Sequence, residues 1–254
     1  MHPDILRFAN FSQDMTRITD IQHSSHPHQL TWMGAQAPYH CNGCKEEGFE
    51  PCYQCEECDF HLHEQCGLAA RGSILPHPFE KSKFKFYGQH TENGMNFGFC
   101  VACGQNIRGF MYESSCKKPV RIHPCCLKLQ QIISVDGVTL ELREKISRLS
   151  KACLICQTRK VSKEIRGWAY VSKCGNFCCH VACFKAMTLK NWKASCLCPE
   201  TDGSSTFELK LGLGDANGTG HSEKWLGKMK FLLQIIIGAI LGEGISVIVE
   251  LLFA

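Results

Sequence analysis

Cys41-Asn42-Gly43-Cys44 is followed, ten residues later, by Cys55-Glu56-Glu57-Cys58-Asp59-Phe60-His61-Leu62-His63-Glu64-Gln65-Cys66. Two Cys-x2-Cys pairs and a His-x2-Cys pair fall within 26 residues. Pairs at this spacing suit a metal, because a tight turn aims both side chains at one ion, and zinc takes four such donors at tetrahedral angles. Reading outwards adds His28 before the first pair and His77 after the last. Eight candidate ligands result, His28, Cys41, Cys44, Cys55, Cys58, His63, Cys66 and His77, enough for two ions.

The order of pairs recurs along the chain. Cys100-x2-Cys103 precedes His123-x2-Cys126, and Cys153-x2-Cys156 precedes His180-x2-Cys183. The gaps from second Cys to His are 18, 19 and 23 residues. Six pairs in one order predict three tandem repeats. Gly109-Phe110-Met111-Tyr112 and Gly167-Trp168-Ala169-Tyr170 occupy matching points ahead of the His-x2-Cys pairs, where alternating aromatics suit short strands with one buried face. Phe84-Lys85-Phe86 reads the same way, while residues 140–149 fit either a short helix or a strand.

Composition agrees with metal sites. The 254 residues include 19 Cys and 12 His, with 44% hydrophobic and 20% charged residues, which excludes bulk disorder. An odd cysteine count prevents complete internal pairing. The N-terminus has an early acid, Asp4, and no apolar run of signal-peptide length, so an intracellular, thiol-preserving compartment is expected. The formal net charge of +4, taken as spread along the chain, is too weak for a nucleic-acid footprint.

His26-Pro27-His28-Gln29-Leu30 at the start, the run from Cys55 to His63, and His77-Pro78 at the close resemble the C1 (phorbol-ester/diacylglycerol-type) zinc finger. They resemble more closely its plant divergent form, the Cys/His-rich DC1 domain. The resemblance spans about residues 26–200. It implies two cross-braced zinc ions in the first repeat, one on Cys41, Cys44, His63 and Cys66, the other on His28, Cys55, Cys58 and His77. The later repeats read as half-kept, each retaining one set: Cys100, Cys103, His123 and Cys126, then Cys153, Cys156, His180 and Cys183. In the second, Tyr87 stands where the opening His is expected, Cys116 remains of the middle pair, and Pro119 takes its partner's place. About four zinc ions follow. A further site from Cys174, Cys178, Cys196 and Cys198 is an open alternative, and Cys179 is unassigned.

The expected fold is small α+β, zinc-stapled, with short β-strands. It comprises an N-terminal segment (1–25), three C1-like fingers (26–78, 79–130, 131–200), a flexible linker (201–230) and an apolar helix (231–254). The tail reads as a membrane anchor, a surface-lying helix or a helix packed on a partner; Glu243 and Glu250 oppose the first. The resemblance implies a non-catalytic interaction module in plant stress or defence signalling, with protein partners. The acidic loop 45–54 argues against diacylglycerol binding. Two other classes stay open: a disulfide oxidoreductase, since Cys-x2-Cys is also a redox spacing, and a nucleic-acid-binding finger protein.

Overall fold

The computed structural model describes residues 18–197, apart from Gln36, Arg71, 89–96 and 136–137. The expected linker (201–230) and apolar tail (231–254) lie outside the described residues, as does most of the N-terminal segment. Among the described residues no helix is long and apolar enough to cross a membrane.

Strands here are short and alternate with turns. The first unit contains β1 (Asp20–Gln22), β2 (Gln29–Met33), β3 (Tyr39–His40), β4 (Glu47–Gly48), β5 (Cys52–Gln54), β6 (His61–His63) and helix α1 (Glu64–Gly67). The second has β7 (Ile74–Pro76), β8 (Lys83–Tyr87), β9 (Met111–Ser114), β10 (Arg121–Ile122) and α2 (Pro124–Leu127). The third has β11 (Ile132–Val135), β12 (Val138–Arg143), β13 (Ala169–Ser172), β14 (Cys178–His180) and α3 (Val181–Leu197). Each unit forms a four-stranded antiparallel sheet in which strands neighbour one another in chain order: β1-β2-β5-β6, β7-β8-β9-β10 and β11-β12-β13-β14. Residues 140–149 therefore open with a strand. β8 shows the alternation at its clearest, with Phe84 and Phe86 buried between exposed lysines and Tyr87.

Register makes the three sheets comparable residue by residue. Tyr53, Tyr112 and Tyr170 on the third strand face Leu62, Ile122 and Cys179, the residues immediately before the three ligand-type histidines. Each tyrosine hydroxyl reaches the segment entering its own sheet. Tyr53 and Tyr170 donate to the carbonyls of Ile18 and Gln130 at 2.9 Å, and the Tyr112 hydroxyl lies 3.4 Å from that of Ser73.

The Cys-x2-Cys turns also share one geometry. The amide after the second cysteine (Lys45, Gly104, Gln157) donates to the carbonyl of the first at 2.8–2.9 Å. That residue sits at φ 65°, 73° and 57°, a left-handed conformation that only Gly104 adopts without steric cost. Lys45 and Gln157 hold it because the turn aims both thiols inward.

The turns also link the units. Phe110 N–H donates to the Gly43 carbonyl at 2.9 Å, and Trp168 N–H to the Ala102 carbonyl at 3.0 Å. Gly43 and Ala102 are the third residues of successive Cys-x2-Cys turns, so each unit hangs from the knuckle of the one before. A Cβ on Gly109 would lie 1.9 Å from the Gly43 oxygen, which is why glycine stands there. At the equivalent position of the first unit, two residues before Tyr53, stands Pro51, which has no N–H to donate. One core runs through all three sheets, from Leu30, Tyr53 and Leu62 through Phe84, Phe110 and Ile122 to Leu140, Trp168 and Tyr170.

The boundaries differ from those expected. The first sheet opens at Asp20 rather than at residue 26, and Ile74–Pro76, assigned by sequence to the first finger, is the opening strand of the second sheet. His77 follows that strand and goes with it.

Candidate metal centres

Four clusters of donor side chains form, each with its ligand atoms within 4.8 Å of one another. Three have the same construction. The knuckle supplies two thiols, the last strand or the residue directly after it supplies a histidine, and the first turn of the following helix supplies the third thiol. These are Cys41, Cys44, His63 and Cys66; Cys100, Cys103, His123 and Cys126; and Cys153, Cys156, His180 and Cys183. In each the histidine Nδ1 faces the second knuckle thiol, at 3.3, 3.4 and 3.4 Å. Zinc bonds of about 2.3 Å to sulfur and 2.0 Å to nitrogen at tetrahedral angles would set these atoms about 3.5 Å apart. The first two clusters are wholly buried. Burial lowers the pKa of His63, but the thiolates of Cys125, Cys44 and Cys41 outweigh that and hold it well above the usual range. Such a site calls for a central cation. Four zinc ions fit the four clusters, one each.

The fourth cluster corrects the sequence reading. Cys55, Cys58 and His28 come together with His26, not His77. The His28 Nδ1 lies 3.2 Å from the Cys58 sulfur and 3.6 Å from that of Cys55. His26 stacks on Phe60 with centroids 4.1 Å apart, and its Nε2 is buried without a hydrogen-bond partner, as a ligand nitrogen would be. His77 is instead buried against Phe84, stacked at 4.8 Å, and its Nδ1 accepts from the Phe79 amide.

Register also shows what replaced this site in the other units. Cys55 donates its amide to the Phe60 carbonyl across the β5–β6 turn; Ser114 does so to Val120, and Ser172 to Phe177. Serine thus stands at the Cys55 position in both later units, not Cys116 as the sequence suggested. Each serine hydroxyl accepts from the amide across the turn, Val120 at 2.9 Å and Phe177 at 3.1 Å. Each also meets the cysteine two residues on, Cys116 at 3.0 Å and Cys174 at 3.3 Å. A hydrogen-bonded turn takes over the work of a metal-bonded one. Cys174 is exposed, and the Ser172 hydroxyl with the Asn176 amide lowers its pKa. Cys178 is buried, and burial pushes its thiol up to about 11. Cys198 and the Cys196 side chain, half of the alternative site, lie outside the described residues.

Two features escaped the sequence. Helix α2 brings Cys125 beside the first unit's cluster, and the neighbouring Cys44, Cys66 and His63 hold its thiol well below the usual range. Glu46, just after the first knuckle, approaches the His123 Nε2 of the second cluster at 3.6 Å and the Lys185 ammonium of α3 at 3.4 Å. A carboxylate behind a ligating imidazole fixes ring orientation and raises basicity. All three units therefore meet around the second centre.

Residues 24–67 match the family model of the C1 domain. The match contains both clusters of the first unit, His26 included, and ends at Gly67, before His77. A protein of Arabidopsis thaliana described as "Probable nucleoredoxin 1" is 38% identical over 52 residues, which is 20% of this chain and 8% of that protein. The chain thus spans under a tenth of that relative's length. No solved structure matches it.

Proposed function

We propose that the chain is a zinc-stapled array of three C1-like units, the second and third diverged from the first, serving as a non-catalytic interaction module. The observation that carries this reading is the closed donor sets: each cluster offers four ligands, leaving no open position for a substrate or an activated water. The shared strand order, knuckle geometry and tyrosine tie support counting the later units with the C1 domain of residues 24–67. Plant stress or defence signalling, an intracellular location and tethering to a membrane through residues 231–254 complete the proposal. Diacylglycerol is not its ligand in this reading.

The partial likeness to a nucleoredoxin favours a second reading, thiol–disulfide exchange. Against it, all three Cys-x2-Cys pairs of knuckle type are committed to metal clusters. Elemental analysis of the purified chain should return about four zinc ions, and fewer than two would overturn the proposal. Insulin reduction should show no turnover; turnover that persists in the zinc-loaded protein would favour the oxidoreductase. Full-length protein should fractionate with membranes and a 1–224 truncation should not; a soluble full-length chain removes the tether.

A further inference from the structure

The net charge of +4 hides a segregation. Residues 20–67 hold eight Asp and Glu against one Lys, a formal −7, whereas residues 132–197 hold twelve Lys and Arg against four Asp and Glu, a formal +8. Much of the positive charge converges on one place. A cavity of about 890 Å³ opens in the third unit, lined by four arginines and three lysines with Glu144 as its one carboxylate.

Its construction favours a particular ligand. Ile146 and Val171 supply a buried apolar floor, and Phe79 enters from the second unit, held edge-on against Trp168 at 5.0 Å. The charges stand around this floor on different elements: Arg143 ends β12, Lys173 follows β13, and Arg148 and Arg159 come from the two intervening loops. Arg159 braces one wall, donating from Nη2 to the Ser150 carbonyl at 2.8 Å and from Nε to that of Ser147 at 3.4 Å. Arg143 is paired with Glu141. Glu144 balances one more charge, so about five of the lining cations have no carboxylate to match them within the cavity lining. Like charges gathered at this density repel, and a bound polyanion relieves the repulsion. Guanidinium forks match phosphate oxygens two at a time, and the volume lies in the usual range for small-ligand cavities.

We propose that this cavity binds a compact, multiply phosphorylated anion, free or as a lipid headgroup. An extended nucleic-acid strand suits it less. The adjoining cavity, which would carry the strand onward, sets Glu144 and Glu164 against Arg121, Lys145 and Arg166, so its positive charge is largely offset. The proposal gives the interaction module a ligand class and rests on that reading only in requiring a folded third unit.

The test uses the full zinc-loaded chain, with zinc content measured for every variant so that loss of fold is told apart from loss of binding. Inositol hexakisphosphate, titrated calorimetrically in 50 mM salt (a roughly 14 Å screening length), should bind saturably. Binding should weaken with added salt. The double variant Arg148→Glu/Lys173→Glu should weaken it by at least about tenfold. Lys83→Glu/Lys85→Glu, an equal charge change on β8 outside the cavity, should change it by less than about threefold. Vesicles carrying phosphatidylinositol bisphosphate, compared with pure phosphatidylcholine, show whether the lipid-borne headgroup is taken as well as the soluble one; capture of either supports the site. Absence of saturable binding by zinc-replete protein overturns the proposal, as does equal weakening by the β8 variant. Tighter binding of a single-stranded RNA 20-mer, lost in the same cavity variant, overturns it in favour of a nucleic-acid surface.

Discussion

Replacing Gly109 by alanine tests the claim that the units hang from one another's knuckles. The added methyl would sit 1.9 Å from the Gly43 oxygen, 2.9 Å from the Cys44 carbonyl carbon and 3.0 Å from its Cα, all backbone atoms that no rotamer change can move. The junction must part. The 2.9 Å bond from Phe110 N–H to Gly43 is then lost inside the core, at about 1–3 kcal/mol. Phe110, only 6% exposed, is partly released to water, at up to about 2 kcal/mol more. A loss of about 1–5 kcal/mol is expected, read from urea unfolding of zinc-loaded protein followed by tryptophan fluorescence. Trp32 and Trp168, in the first and third units, are half-buried and buried. No ligand residue changes, so zinc stoichiometry should stay at about four. Gly34→Ala is the control, since a Cβ there meets nothing within 4 Å, and it should fall within about 0.5 kcal/mol of the parent. A Gly109→Ala protein as stable as that control would refute the junction as drawn.

Other outcomes follow from the clusters and their surroundings. Cys41→Ser should keep about four zinc ions, because Cys125 stands beside Cys44, Cys66 and His63 as a spare thiol, whereas Cys41→Ser/Cys125→Ser should lose one; metal analysis with cobalt(II) absorption reads both. Tyr170→Phe should cost about 1 kcal/mol in thermal unfolding by removing the tie to the Gln130 carbonyl. Iodoacetamide near neutral pH should label Cys174 first, as its lowered pKa and exposure leave more reactive thiolate, and Cys52 and Cys178 far more slowly, as burial pushes both thiols up to about 11. Mass spectrometry of peptides distinguishes them. His77→Ala should leave zinc content unchanged while destabilising the second sheet through the lost stack on Phe84; loss of an ion would reinstate it as a ligand.

Donor pairs within a few residues of each other were legible because local turn geometry sets them: the Cys-x2-Cys knuckles and the His-x2-Cys pairs meet as their order suggested. The aromatic segments at 84–86, 109–112 and 167–170 announced strands for the same local reason. What escaped depends on longer register. Nothing near His77 in sequence reveals that Ile74–Pro76 pairs forward with β8, which carries the histidine away from Cys55 and Cys58. Ser114 and Ser172 drew no notice because a serine holding a turn has no signature beside so many cysteines. Gly109 and Gly167 were visible as a repeated motif, but not the close approach of Gly109 to the preceding knuckle. The charge segregation was present in the sequence throughout and vanished only on averaging over the whole chain.

Pro51 gives this architecture a grammar. Where the second and third units offer an amide hydrogen to the knuckle behind them, the first offers a ring nitrogen with none, and Glu50 replaces the glycine that close approach needs. A duplicated copy of such a unit, inserted ahead of the first by recombination, would find no hand to hold. Placed after a knuckle, the same copy would seat if it carried glycine and an aromatic residue at the corresponding two positions. In this chain that pair of residues, rather than the metal ligands, distinguishes the unit that cannot make this bond from the two that do.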